Sequence, residues 1–266
     1  MVLVSDAAEP VLGADDSLVR VLVAMPDATD LAIARGELPY AGTMGRRFVG
    51  EVVTPGKGSK HALLPGTRVV CEVNLPDTSS ELARRGLGRH DPARRVLGRC
   101  GAEGCLAERV AVPATALVEV PGDLADEQAL FAVPVGDAVH TARMLRLDAK
   151  SYVTVVGESV EALLAAQVMA RENHTVRLLA RDPERLELCE RWGVRRRHTD
   201  EAGRRNDQDV VLVSDVSDAS MELALGLVKP RGTIVIRSGV MSGPSGDGLG
   251  SSATVSYTHL TLPTIA

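Results

Sequence analysis

Aromatic side chains are scarce in this chain: Phe, Tyr and Trp make up 2% of its 266 residues, whereas hydrophobic residues make up 45%. So few rings argue against a surface that stacks the bases of single-stranded nucleic acid. The formal net charge of -5 also opposes binding to a phosphate backbone. No apolar stretch approaches the roughly 20 residues of a membrane-spanning helix. We therefore expect neither nucleic acid nor a membrane as partner, which leaves small molecules and proteins.

Cysteine is also sparse, with four residues spread along the chain. A chain of this length can bury a sizeable core without disulfides, so we expect buried thiols in a reducing compartment. The first residues include an acid, Asp6, and have no basic stretch ahead of an apolar run, which is not typical of a secretory signal. The sequence thus predicts a cytoplasmic protein.

The last twelve residues, 255–266, have no link to the Gly/Ser-rich stretch before them. They resemble a translated sequencing-library adapter. We therefore expect a non-native tail and leave it out of the fold prediction, as a cloning scar would be left out.

The second half of the chain alternates short β-branched runs with helical segments. This alternation predicts a parallel sheet with right-handed crossovers. The predicted strands are 152–156, 176–180, 209–213 and 233–237, and the predicted helices are 162–170, 184–192 and 219–228, with a turn at Pro230–Gly232.

The first of these strands runs into a glycine turn and a helix, which is where a dinucleotide fold binds pyrophosphate. The three places of the glycine fingerprint read Gly157, Ser159 and Ala162. Ser159 adds a Cβ where the ligand should come closest, and Glu158 and Glu161 place two carboxylates beside it. The turn therefore predicts either a dinucleotide site or a helix that is capped by its own glutamates.

The residue after the second strand of such a fold helps to select the cofactor. An acid at this place binds the ribose of NAD, whereas an arginine accommodates the 2′-phosphate of NADP. Here the strand ends in Ala180 and is followed by Arg181. We therefore predict NADP, with NAD as the alternative, and Arg181 as a cofactor-binding residue.

The first half of the chain consists of short strands between Gly and Pro turns, which predicts a compact β-rich domain. Several of its motifs, in this order, resemble the zinc-type alcohol dehydrogenase-like branch of the medium-chain dehydrogenase/reductase family. They are Thr29-Asp30-Leu31, Gly45-Arg-Arg-Phe-Val-Gly50, Pro65-Gly-Thr-Arg-Val-Val70, Ala107-Glu-Arg-Val-Ala-Val-Pro113 and Val120-Pro121 followed by Asp126-Glu-Gln-Ala129.

The resemblance implies an α/β architecture of two domains. A GroES-like substrate-type domain would take residues 1–145, and a partial Rossmann-type NAD(P)-binding domain with an incomplete carboxy-terminal end would take residues 146–254. Members of this family also form oligomers, so the resemblance implies a possible homo-oligomer and a small alcohol or carbonyl substrate.

The positions that hold zinc in this branch carry other residues here. The catalytic positions read Asp27, Arg46 with Arg47, and Val133, and the structural lobe reads Asp77, Ser80, Ala83 and Asp91. Arg has no lone pair to give to a metal and stays charged. Zinc needs three or four N, S or O donors. We therefore expect no zinc at either place.

Two interpretations of the altered catalytic position remain open. Asp27 and Arg46 could form an ion pair that fills the place of metal and thiolate. Alternatively, Arg46 could polarise a substrate carbonyl while Thr29 passes a proton, as the matching threonine does in the family. The chain is accordingly predicted to be either a zinc-independent NAD(P)(H) oxidoreductase or a catalytically inactive relative or fragment with a binding or regulatory role.

Overall fold

The computed structural model describes residues 4–58, 63–145, 151–172, 174–203 and 205–237, together with the backbone of Thr258–Thr261. The chain divides into two compact units, Met1–Val133 and Pro134–Ala266. The predicted domain boundary after residue 145 lies 12 residues later and directly precedes residues that are outside the described ranges.

The first unit contains a five-stranded antiparallel sheet in the order β6-β1-β2-β3-β7 and a two-stranded sheet of β4 and β5. Its strands are β1 Asp16–Ala24, β2 Phe48–Thr54, β3 Arg68–Cys71, β4 Asn74–Leu75, β5 Arg95–Val96, β6 Arg109–Pro113 and β7 Leu117–Glu119. Its short helices are α1 Ala28–Ala34, α2 Glu81–Arg84 and α3 Asp126–Ala129, with 3₁₀ turns at Gly88–His90 and Ala114–Ala116. The prediction of a compact β-rich first half is confirmed.

Aliphatic side chains rather than rings fill the core of this unit. Val19, Val69 and Val112 are completely buried, and Phe48 is the one aromatic residue among the buried side chains of the cluster. Alternate residues along the strands point inwards, as in the pattern of buried Val110 and Val112 on either side of the half-buried Ala111. The buried face of the sheet is thus formed mainly by Val, Leu and Ala.

The second unit has a sheet in the order β10-β9-β8-β11-β12-β13. Its strands are β8 Tyr152–Val156, β9 Thr175–Ala180, β10 Arg195–His198, β11 Gln208–Val213, β12 Val228–Ile236 and β13 Thr258–Thr261. Its helices are α4 Ala132–Leu145, α5 Val160–Arg171, α6 Pro183–Arg191 and α7 Asp218–Leu227, and a 3₁₀ turn spans Thr199–Glu201. The division between the units falls in the first turn of α4.

Strands β8 to β12 pair in parallel, which confirms the predicted parallel sheet. One face packs against α4, α5 and α6 through a cluster that includes Leu163, Met169 and Leu212, and the other packs against α7 through Val211, Leu227 and others. Strand order reverses between β8 and β11, so the carboxyl ends of these two strands form the switch point of the sheet.

The structure differs from the sequence prediction near the end of this sheet. The predicted helix over 219–228 ends at Leu227, because Val228 already pairs with Gln208 as the first residue of β12. The turn predicted at Pro230–Gly232 lies inside β12, where the pairing shifts register and Arg231 adopts a φ of 64°. A shift of register within one strand, and not a turn between two elements, therefore occupies residues 230–232.

Strand β13 pairs antiparallel with β12 and comes from the segment that the sequence analysis set aside as a tail. The rest of residues 255–266 lies outside the described residues, so a non-native origin of this segment stays a prediction. Of the four cysteines, Cys71, Cys105 and Cys189 are buried as expected, but the prediction was wrong for Cys100, which is exposed. None of the described helices is both long and apolar enough to span a bilayer.

Candidate functional site

Asp27 is the N-cap of helix α1, and both its side chain and its backbone N–H take part in the cap. Its Oδ1 accepts hydrogen bonds from the backbone N–H groups of Thr29 and Asp30, at 2.8 and 3.2 Å. Asp30 returns the contact, since its Oδ2 accepts the N–H of Asp27 at 2.9 Å. This reciprocal capping box satisfies donors that the first helical turn would otherwise leave free.

The other oxygen of Asp27 faces two guanidinium groups. Arg46 Nη2 donates to Asp27 Oδ2 at 2.5 Å, and Arg47 Nε lies 3.5 Å from the same oxygen. All three residues are at most 8% exposed. The structure therefore contains the Asp27–Arg46 ion pair that one of the two sequence interpretations expected, with Arg47 as a second cation.

Burial and charge act in opposite directions on these acids. Burial alone raises the pKa of Asp27, but the attraction of Arg46 and Arg47 and the hydrogen bonds to the carboxylate outweigh it, so the net pKa lies below the usual value. Burial raises the pKa of the neighbouring Asp30, which the negative charge of Asp27 reinforces. Asp27 is thus held as a carboxylate by its two cations.

Gly45 directly precedes the two arginines and helps to fix the backbone that places them beside Asp27. Its N–H donates to Asp30 Oδ1 at 2.9 Å, and its φ of 101° lies in the region that favours glycine. A Cβ on Gly45 would lie 2.6 Å from the backbone nitrogen of Leu106. A larger residue would therefore displace the arginines that follow it.

Thr29, the predicted proton-passing residue, is completely buried. Its backbone contributes to the helix cap, and its Oγ1 has no hydrogen-bond partner within the described part of the chain. Thr29, through its N–H, and Arg46, through its guanidinium, thus both contact Asp27, and the charged groups of Asp27 and Arg46 are engaged with each other.

The residues at the altered zinc positions do not fit a zinc ion. Both oxygens of Asp27 are taken by N–H groups and guanidiniums, and Arg46 and Arg47 repel a cation and have no lone pair to give. Val133 is apolar. Across the described ranges, no group of three His, Cys, Asp or Glu side chains could hold a metal.

In the lobe that corresponds to the structural site, side chains bind the backbone instead. Ser80 caps helix α2 through the N–H of Ala83, at 3.0 Å. Asp77 accepts the N–H of Ser79 and Asp91 accepts the N–H of Ala93, each at 2.8 Å. The hydroxyl and then the N–H of Ser79 lower the pKa of Asp77, and the hydroxyl of Ser80 and then the N–H of Ala93 lower that of Asp91.

In the second unit an open cleft of about 450 Å³ lies at the carboxyl ends of β8, β9 and β11. Open parallel sheets bind their ligands at this edge, beside the switch point. Its polar wall comes from the glycine turn, from the end of β9, and from the segments that follow β10 and β11. These lining residues include Gly157, Glu158, Arg181, Asp200, Asp215 and Ser217.

The predicted cofactor residues have different roles in this cleft. Gly157 and the exposed Arg181 line it. Ser159 is the N-cap of α5: its Oγ accepts the N–H of Ala162 at 3.3 Å and lies 3.0 Å from Ser214 Oγ. Ala162 is completely buried against the sheet, where its small side chain lets the helix approach.

Asp215 is the residue of this cleft that the sequence analysis missed. It follows β11, and its Oδ2 accepts the N–H groups of both Glu158 and Ser159. The Glu158 carboxylate instead accepts the N–H of Arg181 at 2.8 Å. Ser159 therefore caps α5, and Asp215, 56 residues further along the chain than Ser159, accepts the N–H groups of the turn.

Comparisons with known proteins agree with the fold described above. Residues 13–122 match the alcohol dehydrogenase GroES-like domain family. L-threonine 3-dehydrogenase of Ruegeria pomeroyi is 30% identical over 224 residues, which are 81% of this chain and 61% of that protein. The same enzyme of Legionella pneumophila (strain Corby) is 30% identical over 72% of this chain and 57% of its own length. These matches support an alcohol dehydrogenase-like protein of the medium-chain dehydrogenase/reductase family.

Solved dehydrogenase structures share the fold of both units. Alcohol dehydrogenase TADH from Thermus sp. ATN1 superposes with a TM-score of 0.80 at 26% identity, over 93% of this chain and 78% of that one. A dehydrogenase from Sinorhizobium meliloti 1021, solved with NADP bound, gives 0.79 at 25% identity, over 90% and 74%. The predicted GroES-like and Rossmann-type architecture is confirmed. The chain spans about three fifths of the length of the curated relatives it matches.

Proposed function

We propose that this chain is a dehydrogenase-type oxidoreductase that binds NADP(H) in the cleft of its second unit and acts on a small alcohol or carbonyl compound without zinc. The cleft at the switch point of the parallel sheet carries the proposal, because it combines a glycine turn with an exposed arginine at the end of β9. A cytoplasmic location and a homo-oligomer belong to the same proposal.

The cleft residues fit most, but not all, of a nicotinamide dinucleotide. Gly157, with a φ of 144°, provides the turn at the end of β8, and Arg181 would hold the 2′-phosphate. When bound, the cofactor would supply the hydride that a dehydrogenase transfers. The two N–H groups that would meet its diphosphate already bind Asp215.

The geometry of Asp27 and Arg46 favours a structural role for this pair. Asp27 takes one N–H of Arg46 Nη2, so a carbonyl polarised by Arg46 would have to reach the other N–H groups of a side chain that is almost fully buried. Thr29 would need to open from complete burial before passing a proton. Both catalytic assignments are therefore part of the proposal and depend on a movement of α1 or of the loop before β2.

A catalytically inactive relative with a binding role is the second candidate. Two observations favour it: Asp27 and Arg46 are engaged with each other at the altered zinc position, and the N–H groups of the glycine turn are satisfied within the chain. Under this alternative, both units would have the fold of a dehydrogenase without its catalytic activity.

Titration of the folded chain with NADPH and NADH, followed by nicotinamide fluorescence, tests the cofactor assignment. We expect tighter binding of NADPH, because the guanidinium of Arg181 attracts the 2′-phosphate. Arg181→Gln should lower NADPH affinity about tenfold, which corresponds to about 1.4 kcal/mol, and should leave NADH affinity unchanged.

Arg195→Gln is the matched control, since Arg195 is also exposed in the same unit but lies on β10 and does not line the cleft. Equal affinity for the two nucleotides would refute the assignment of Arg181. Failure of the folded chain to bind either one would refute the oxidoreductase proposal and favour the inactive relative.

A further inference from the structure

Asp215 lies where a ligand group would be expected. Its Oδ2 accepts the Ser159 N–H at 3.0 Å and the Glu158 N–H at a shorter distance. A Cβ added to Gly157 would lie 2.9 Å from the same oxygen. The close approach that glycine permits is therefore used by a carboxylate of the chain itself.

The two N–H groups belong to the turn between β8 and α5. In dinucleotide folds, backbone N–H groups of this turn, at the positive end of the helix dipole, bind the pyrophosphate. An aspartate carboxylate offers the same acceptor chemistry as a phosphate oxygen and carries a negative charge. A diphosphate in this turn would thus compete with Asp215 for donors and would be repelled by its charge.

We propose that Asp215 is a specificity-determining residue of the cleft: it competes with the diphosphate of NADP(H) for the two N–H groups and so lowers the affinity of the wild-type chain for the dinucleotide. The inference rests on the proposed nucleotide-binding function of the same cleft. It concerns a different group of the ligand from the one assigned to Arg181.

The position of Asp215 allows the subsite to be emptied without disturbing the core. Asp215 is exposed, and it follows the last residue of β11 by two positions, outside the buried run of that strand. Its removal leaves Glu158 and Ser159 N–H groups at the cleft surface, where a phosphate or water can reach them. Asp215→Asn removes the charge and keeps an acceptor, whereas Asp215→Ala removes both.

The test measures two probes by calorimetric titration. NADPH carries both the 2′-phosphate and the diphosphate, whereas adenosine 2′-monophosphate carries the 2′-phosphate alone. We expect Asp215→Asn to bind NADPH about tenfold more tightly than the wild type and Asp215→Ala up to about a hundredfold. Affinity for adenosine 2′-monophosphate should change less than about threefold in either variant, because its binding does not require the diphosphate donors.

Asp200→Asn is the matched control. Asp200 lines the same cleft and carries the same charge, but its described contact is with His198, 3.5 Å from Asp200 Oδ2, and not with the glycine turn. An equal gain in NADPH affinity from Asp200→Asn would overturn the inference, since the net charge of the cleft would then explain the effect.

Two further results would also overturn the inference, and they can be told apart. If adenosine 2′-monophosphate binds but NADPH affinity is the same in the wild type and both Asp215 variants, the inference fails and the proposed nucleotide site survives. If neither probe binds any of these chains, with thermal unfolding showing each to be folded, the proposed function fails together with the inference.

Discussion

Two aspartates of this molecule accept similar backbone hydrogen bonds, one in a buried site and the other in an exposed one. Asp27 in the first unit and Asp215 in the second each accept two backbone N–H groups at the beginning of a helix or of the turn that leads to it. Asp27 is buried between two guanidiniums, whereas Asp215 is exposed at the rim of a cleft. Because Asp27 is buried, its ion pairs are shielded from water. Because Asp215 is exposed, its N–H partners can be exchanged for other groups.

The largest effect that would test this contrast is expected from Asp27→Asn. This substitution leaves the buried Arg46 and Arg47 without their carboxylate and should lower the free energy of unfolding by about 3–5 kcal/mol in a urea titration. Glu51→Gln is the control, because it breaks the exposed ion pair between Arg20 and Glu51 in the same unit and should cost less than about 1 kcal/mol. Similar losses from both would mean that the Asp27 cluster adds nothing beyond an exposed pair.

The loss of stability at acid pH should also distinguish the buried Asp27 from the exposed Asp215. The folded-state pKa of Asp27 lies below its ordinary value of 3.8, so its ionisation stabilises the fold above that pH, and the contribution is lost as the pH falls through the lower folded-state pKa. Calorimetric unfolding between about pH 7 and pH 2 should therefore show a steeper acid decline for the wild type than for Asp27→Asn. Parallel curves for the two chains would contradict a lowered pKa.

The smallest effect is expected from Asp215→Ala. The N–H groups of Glu158 and Ser159 lose their acceptor but can turn to water, so the free energy of unfolding should fall by about 1 kcal/mol or less. Urea unfolding of this variant beside Asp27→Asn would measure the contrast between the two acids directly. A loss as large as that of Asp27→Asn would show that Asp215 is a structural residue and not an exchangeable one.

Local sequence patterns were sufficient for most elements of the second unit. The β-branched run at Tyr152–Val156 and the Asp182-Pro183 helix start were both predicted and are both present. The errors lie where pairing with a neighbour outweighs local signals: Val228 pairs with Gln208 as a strand residue, although the pattern continues the helix. Pro230–Gly232 has the composition of a turn and lies inside β12, at the place where the pairing with β11 passes from Val228 to Thr233 with a shift of register.

For the candidate sites, the sequence by itself determined the residue types: no zinc donor set at the altered positions, an arginine after β9, and a glycine at the end of β8. Only the tertiary structure decided what these residues contact. The Asp27 cluster joins residues 19 positions apart, and the contact of Asp215 with the glycine turn joins β11 to β8 across 56 positions. The first contact follows from the antiparallel pairing of β1 with β2, and the second from the order of parallel strands, which brings distant carboxyl ends to one edge; no local periodicity encodes either.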